Sequence, residues 1–152
     1  NNKKKRRKNM KFIDSETYPG KGISYVEIEH KGKTYVGVAH CHPEDEFSEY
    51  TGCRYAHERA EIAAMKEEWK QKKHDCEECR KFIKALVSYK TFDPDSQMAK
   101  NMWHQFNCRV KEVNKLAEAI SKKMLALDVS IKQQTTINNA INQRRLINKE
   151  KK

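Results

Sequence analysis

The feature that most constrains this chain is a run of apolar residues spaced alternately three and four positions apart. Its members are Trp103, Phe106, Val110, Val113, Ala117, Ile120, Met124, Leu127 and Ile131. This spacing places every member on one face of an α-helix and is typical of a coiled-coil-like seam. The sequence therefore predicts a helix over about residues 96–147, capped by Asp95 or Ser96. Beyond Ile131 the seam positions turn polar, at Gln134 and Asn138.

An earlier apolar stripe predicts a first helix over about residues 53–90. Its members are Ile62, Met65, Trp69, Cys76, Cys79, Ile83 and Leu86. Pro43 followed by three acidic residues predicts a helix opening upstream, and Gly52 is expected to break that opening turn from the main helix. Because a short polar connection around Pro94 separates the two stripes, we expect the helices to pair as an antiparallel hairpin.

Ahead of the helices the pattern changes to an alternation of every second residue, which is typical of β-strands. The alternating apolar residues are Val26 and Ile28 in the first run and Val36 and Val38 in the second. Lys31-Gly32 between the runs supplies the glycine that a tight turn needs. The sequence predicts a β-hairpin over residues 23–42, whose apolar face must pack on the helices because a lone ribbon is marginally stable.

We therefore expect one domain overall, of the α+β class and mostly α, with an N-terminal β-hairpin packed on a long antiparallel helical hairpin. Its segments are a basic arm and irregular link (1–22), the β-hairpin (23–42), the helical hairpin (43–148) and a basic tail (149–152). No apolar run approaches the roughly 18 residues of a membrane-spanning helix, and no signal-peptide core is present. Five cysteines without the density of a secreted scaffold also favour the cytoplasm.

The net charge of +11 is concentrated at the two ends of the chain. Residues 1–11 carry seven bases and no acid, residues 144–152 carry five bases and one acid, and the remainder carries 20 of each sign. A neutral body with basic arms gives sequence-independent affinity for phosphates, so RNA or DNA is the expected partner. The alternative is that the charged ends are solvated tails without a ligand.

The candidate nucleic-acid-binding residues are these bases, two tyrosines of the predicted hairpin and a nearby lysine. Unpaired bases stack on aromatic side chains, and we expect Tyr25 and Tyr35 to share one face of the ribbon. The alternative is that this face packs on the helices. The full set is Lys3, Lys4, Lys5, Arg6, Arg7, Lys8, Lys11, Tyr25, Lys33, Tyr35, Arg144, Arg145, Lys149, Lys151 and Lys152.

A zinc site is the alternative suggested by the cysteines. Cys76 and Cys79 form one C-x-x-C, which Cys41 and His42 could complete, since thiolates and imidazoles are natural zinc ligands. A second matched pair is absent, and on a buried stripe a free thiol behaves as a small apolar side chain. The sequence has no phosphate loop, nucleophile elbow or metalloprotease motif. We therefore expect a binding protein rather than an enzyme, without a cofactor, and keep a structural zinc module as an alternative.

The segment VGVAHCHPEDEF at residues 36–47, followed by Gly52 and by AHERA at 56–60, resembles small proteins of Gram-positive phages and prophages. The resemblance covers about residues 23–65 and implies an accessory protein of a mobile element, with no assigned reaction. In size and lack of catalytic motifs the chain is also similar to Cas9-inhibiting anti-CRISPR proteins, many of which are acidic, unlike this one. That similarity implies a protein that contacts nucleic acid or a host nucleoprotein such as a CRISPR effector and inhibits an RNA-guided nuclease. The alternative is a protein-binding adaptor, or one that self-assembles through its C-terminal helix.

Overall fold

A computed structural model describes residues 10–151 as a three-stranded antiparallel sheet followed by two long helices. The elements are β1 (Met10–Tyr18), a 3-10 turn (Pro19–Lys21), β2 (Ile23–His30), β3 (Lys33–His40), α1 (Glu49–Val87) and α2 (Gln97–Glu150). The predicted α+β class, with a β-hairpin ahead of a helical hairpin, is confirmed. Among the described residues, no helix is both long and apolar enough to cross a membrane.

The strand β1 is a correction to the predicted arm and link over residues 1–22. Met10–Tyr18 pairs antiparallel with β2 along its length, and a bulge between Phe12 and Asp14 interrupts the ladder. Most of its residues are exposed, so no apolar alternation marked the strand in the sequence. Its extended conformation comes from backbone pairing to β2, which a search for hydrophobic periodicity does not detect.

The predicted hairpin between β2 and β3 turns at the expected dipeptide. Lys31 and Gly32 both have positive φ angles, 51° and 77°. Positive φ at both central residues is type I′ geometry, whose twist matches that of the flanking strands. The turn residues therefore fix the pairing register of the hairpin.

The face of β3 that packs on α1 is not the face that carries its valines. In the hairpin register Val26 lies opposite Gly37, and both are buried. Val36 points to the other face and is 43% exposed. The reason is space, because a Cβ atom at Gly37 would fall on the carbonyl oxygen of Ala56 in α1. At that contact only glycine fits.

The surface of α1 that covers the sheet is a stripe of small residues four positions apart. Ala56, Ala60 and Ala64 are fully buried and form the core cluster with Val26 and Ile28 of β2. Because these side chains are short, the helix backbone approaches the sheet closely. This packing fixes the position of the first turns of α1 against β2 and β3.

The start of α1 differs from the predicted opening at Pro43. The helix begins at Glu49, and the hydroxyl oxygen of Ser48 accepts a hydrogen bond from the backbone N–H of Thr51 at 3.3 Å. A serine in this place satisfies one of the unpaired N–H groups at a helix start. Gly52 does not break the helix, since its N–H donates to the Ser48 carbonyl at 2.9 Å.

The start of α2 agrees with the prediction made from the sequence. Of the two predicted caps, Ser96 accepts a hydrogen bond on its hydroxyl oxygen from the backbone N–H of Ala99 at 3.2 Å. The seam that follows agrees only in part. Ile120 is buried as predicted, whereas Trp103 is 38% exposed and Leu116, which the prediction omitted, is 2% exposed.

The structure divides into two compact units, and the expectation of one domain overall stays a prediction. The first contains the residues up to Ala64 together with those from Lys122 onward, and the second is Met65–Ser121. Within the first unit the two helices run antiparallel, and the hydroxyl of Tyr55 donates to the carbonyl of Ser130 at 3.2 Å. The sheet and both ends of the described chain belong to this unit.

Candidate nucleic-acid interface

The N-terminal basic arm joins the sheet beside the hairpin turn. Its bases at residues 3–8 lie outside the described residues, as does Lys152. The described chain begins with Met10, which lies opposite His30, the residue before the turn. Lys11 and Lys33, two of the predicted binding residues, are exposed at this same end of the sheet. We call it the arm end.

A cleft of about 410 Å³ opens at the arm end. We call it the arm-end cleft, and it is lined by Met10, Arg54, His57, Glu58, Glu61 and Lys123. None of its charged residues was among those predicted from the sequence to bind nucleic acid. Their signal in the sequence was a set of four polar side chains on one face of α1, at positions 54, 57, 58 and 61, and a lysine next to the apolar seam of α2.

A three-residue network engages Glu61, which with Glu58 is one of the two carboxylates that line the arm-end cleft. One carboxylate oxygen of Glu61 lies 2.9 Å from Nζ of Lys123, and the other lies 2.9 Å from Nδ1 of His57. The side chains of Glu61 and Lys123 are 15% and 23% exposed, whereas that of His57 is 40% exposed. The carboxylate is thus satisfied from both sides, while Arg54 remains exposed at the rim. The guanidinium N–H groups of Arg54 can donate to a phosphate in this position, whereas Nδ1 of His57 is engaged with Glu61.

The C-terminal bases lie at the opposite end of the sheet. Arg145 donates to a carboxylate oxygen of Glu46 at 2.9 Å, and the side-chain amide of Asn142 donates to the carbonyl of Glu44 at 3.4 Å. These contacts tie α2 to the loop that follows β3. Arg145 is therefore engaged within the protein, while the remaining described bases of this segment are exposed, namely Arg144, Lys149 and Lys151.

The described bases Lys11 and Lys33 at the arm end are separated from Arg145 by about the length of the sheet. β2 contains eight residues, which at about 3.3 Å per residue corresponds to roughly 25 Å. Successive base pairs rise by about 3.4 Å, so one duplex in contact with both segments would span about seven base pairs. The geometry therefore permits one nucleic acid strand or duplex to touch both ends.

The two predicted stacking tyrosines lie on opposite faces of the sheet, which corrects the expectation that they share one. Tyr25 lies opposite Val38 on the outer face, whereas Tyr35 lies opposite Ile28 and packs against the buried cluster. Tyr25 also has mostly acidic neighbours on its face, since Asp14, Glu16, Glu27 and Glu29 lie there and Lys11 lies at the end of the face beside the hairpin turn. That acidic outer face repels phosphates, so we do not place nucleic acid on it.

The proposed zinc ligands are not assembled. Cys76 and Cys79 belong to the second unit, while Cys41 and His42 lie in the loop after β3 in the first. In the part of the chain that the structure describes, no three histidine, cysteine or acidic side chains are grouped closely enough to hold a metal ion. Burial raises the pKa of the Cys76 thiol, as expected for a core residue rather than a ligand.

The chain matches no protein-family profile, no curated protein and no solved structure. The resemblance of residues 36–60 to phage proteins therefore stays a prediction.

Proposed function

We propose that this protein binds nucleic acid, with phosphates held at the arm end of the sheet. The observation that carries the proposal is a basic run next in sequence to a cleft with two cationic side chains. The six bases of residues 3–8 precede Met10 in the sequence, and Met10 lines the arm-end cleft with Arg54 and Lys123, beside the carboxylates of Glu58 and Glu61. Contacts of lysine and arginine with phosphates supply affinity without reading base sequence.

The distribution of acidic residues favours the arm end over the rest of the sheet. Glu61 is neutralised by Lys123 and stabilised by His57, so its carboxylate offers little repulsion to a phosphate at the rim. On the outer face of the sheet Glu27 lies opposite Asp14, and Glu29 lies opposite Lys11, so three carboxylates accompany one base there. A phosphate backbone is therefore expected to avoid the outer face and cross the arm end.

Removal of residues 1–9 tests the role of the arm, because it deletes six of its seven bases. The slope of log affinity against log salt should become shallower by about 0.9 for each duplex phosphate that the arm no longer neutralises, or about 0.7 for single strands. The melting temperature should stay the same. A double substitution of exposed lysines in the second unit, Lys81→Gln with Lys84→Gln, is the control. Full-length protein that shows no salt-sensitive binding to DNA or RNA would contradict the proposal.

Substitution of the cleft rim tests the arm-end cleft itself. Arg54→Gln with His57→Gln removes the guanidinium at the rim and the imidazole beside Glu61 while keeping the polar character of both positions. Affinity for DNA and RNA of any sequence should fall several-fold, and the salt slope should become shallower by about one unit. The matched control is Arg80→Gln with His74→Gln, two exposed positions of α1 in the second unit. An equal loss of affinity in the control would place the phosphate elsewhere.

The target class within this proposal is a host nucleoprotein such as a CRISPR effector, whose guide RNA and target DNA both expose phosphates. The protein would then inhibit an RNA-guided nuclease as a phage accessory factor. A cleavage assay with a guide-loaded Cas9-type nuclease tests this. The full chain should slow cleavage, and the form lacking residues 1–9 should do so less. Unchanged cleavage at saturating protein would eliminate this target.

A second candidate function is a self-assembling helical adaptor, which the apolar residues near the end of α2 favour. Ile137, Ile141 and Ile147 are 53%, 43% and 52% exposed, so they do not pack on the hairpin. A second copy could cover them. Light scattering compares the full chain with an Ile137→Asp, Ile141→Asp variant. A larger mass that the variant loses would support self-assembly, and a monomeric full chain would exclude it.

A further inference from the structure

A second cleft, of about 170 Å³, lies at the end of the sheet opposite the arm end. Its walls come from the ends of β2 and β3, the loop after β3, the first turns of α1 and residues 131–138 of α2. We call it the amide cleft. The residues that matter for its chemistry are Ser24, Phe47, Tyr55, Arg59, Gln134 and Asn138.

Ser24 supplies an unsatisfied hydroxyl to the amide cleft. Its residue is 1% exposed, and its Oγ has no hydrogen-bond partner among the described residues. Gly52 in α1 makes room for it, since a Cβ atom at position 52 would fall on that oxygen. A buried hydroxyl without a partner is costly, and a ligand that hydrogen-bonds to it recovers that cost.

Two carboxamides on α2 face the amide cleft in a fixed arrangement. Nε2 of Gln134 donates to Oδ1 of Asn138 at 3.0 Å, and both side chains are half-buried. This bond holds the two groups one helical turn apart. The carbonyl oxygen of Gln134 and the amide N–H groups of Asn138 remain to serve as acceptor and donors. Adjacent donor and acceptor groups complement the edge of a nucleobase, and asparagine or glutamine most often pairs with adenine.

The shape of the amide cleft also suits a flat ring. Phe47 and Tyr55 line it as half-buried aromatic residues, and Tyr55 is held by its hydrogen bond to Ser130. A cavity of about 150 Å³ accommodates one benzene-sized molecule. At about 170 Å³ the amide cleft therefore admits the edge of one base, and the rest of the nucleotide stays outside. Arg59 is exposed and fixed by donation to the carbonyl of Val38 at 2.7 Å. Its guanidinium therefore offers further donors to a phosphate outside.

We propose that the amide cleft binds one unpaired nucleobase, adenine by preference, through Ser24, Gln134 and Asn138. This inference rests on the proposed nucleic-acid function and adds a preference for single strands, because a paired base cannot enter a cleft that contacts its edge. The arm end would supply affinity that is independent of sequence, and the amide cleft would supply selectivity for the strand.

The test compares Gln134→Ala, Asn138→Ala with Gln133→Ala, Asn139→Ala. The control removes the same residue types from exposed positions of the same helix, outside the cleft. The probes are fluorescein-labelled oligo(dA), oligo(dT) and a mixed-sequence duplex of equal length, with the full chain. The wild-type protein and the control should favour oligo(dA) over the duplex by about tenfold, the scale of one good base contact. The cleft variant should lose this preference and keep its salt slope.

Ser24→Ala separates a ligand contact from a structural role. If the hydroxyl serves the ligand, the variant should bind oligo(dA) more weakly while its melting temperature stays the same or rises. A fall in stability with unchanged affinity would show that Ser24 is structural and would count against the proposal. A wild-type protein without a single-strand preference would overturn the inference but leave the salt-dependent function intact.

Failure of the proposed function itself gives a different result, namely no salt-sensitive binding to any oligonucleotide. The cleft is then tested alone with adenosine, by following the backbone amide resonances of Ser24 and Gly52 in NMR spectra of the full chain. Shifts at these two amides that the Gln134→Ala, Asn138→Ala variant lacks would support the site. Unperturbed spectra at millimolar adenosine would overturn it.

Discussion

Gly37 of β3 lies directly against the backbone of Ala56 in α1, so that the sheet and the helix touch without an intervening side chain. A Cβ atom at position 37 would also lie 2.6 Å from the backbone nitrogen of Ala60. The atoms in the way are backbone atoms of a buried helix, which cannot rotate aside as a side chain can. The contact therefore fixes how α1 lies on the sheet, and both clefts depend on that placement.

Gly37→Ala should consequently destabilise the protein. Overpacking of a close contact costs about 1–3 kcal/mol, and here backbone would have to move, so the upper part of that range is expected. Gly20→Ala is the control, because no atom lies within 4 Å of the added Cβ there. Urea denaturation of both variants measures the difference. Equal stability of the two would show that α1 can shift away from β3 at little cost.

Lys123→Met should also destabilise the protein, since it leaves the carboxylate of Glu61 without its cation at a site where that side chain is 15% exposed. A loss of about 1–3 kcal/mol is expected, less than for a fully buried pair. Lys81→Met is the matched control, because Lys81 is 75% exposed beside Glu78. Such surface pairs contribute little. Urea is the appropriate denaturant, since it does not screen charge.

Ser96→Ala should lower stability by about 1 kcal/mol, because it removes the hydrogen bond to the backbone N–H of Ala99 at the start of α2. Asp95→Ala is the control, since Asp95 was the alternative cap in the sequence and its carboxylate makes no capping bond in the structure. Thermal unfolding followed by circular dichroism compares the two. A larger loss in Asp95→Ala would show that the cap had been assigned to the wrong residue.

Cysteine reactivity should follow burial. Burial raises the pKa of the thiols of Cys41, Cys53 and Cys76 above the ordinary value of 9.0, whereas Cys108 is exposed. Iodoacetamide at pH 8 should therefore label Cys108 first and Cys76 last, as measured by mass spectrometry. A raised thiol pKa in the folded state leaves stability unaffected at low pH and lowers it as the pH rises above 9.0. Equal labelling rates in native protein would contradict this ordering.

The parts of the fold that the sequence predicted are those that a local signal marks. The dipeptide Lys31-Gly32 predicts the turn that it forms, and Ser96 lies directly before an apolar run and predicts a helix start. The prediction of which face of β3 is buried was wrong, because Val36 and Val38 have the stronger hydropathy. At the point of closest approach to α1 there is room only for Gly37. Hydropathy reports which side chains avoid water, and it does not report how close two backbones must approach.

The candidate site likewise contains residues that the sequence predicted and residues that only the structure reveals. The basic ends are visible as runs of like charge, but Arg54 and His57 acquire their role only when α1 carries them beside Met10. One sign of the amide cleft was present in the sequence, since Gln134 and Asn138 replace apolar residues where the seam of α2 continues. Polar residues at seam positions have a partner or a ligand, and only the structure shows which groups stand opposite them.

The two edge strands of the sheet, β1 and β3, are poorly suited to pair with a strand of another molecule. β1 is interrupted by its bulge between Phe12 and Asp14, and the carbonyl of Val38 in β3 already accepts a hydrogen bond from Arg59. A strand from another molecule would therefore meet a broken ladder on one side and an occupied acceptor on the other, two devices that discourage edge-to-edge growth. Assemblies of this protein are consequently expected to be finite and built through helices, with no rise in cross-β fluorescence as its concentration increases.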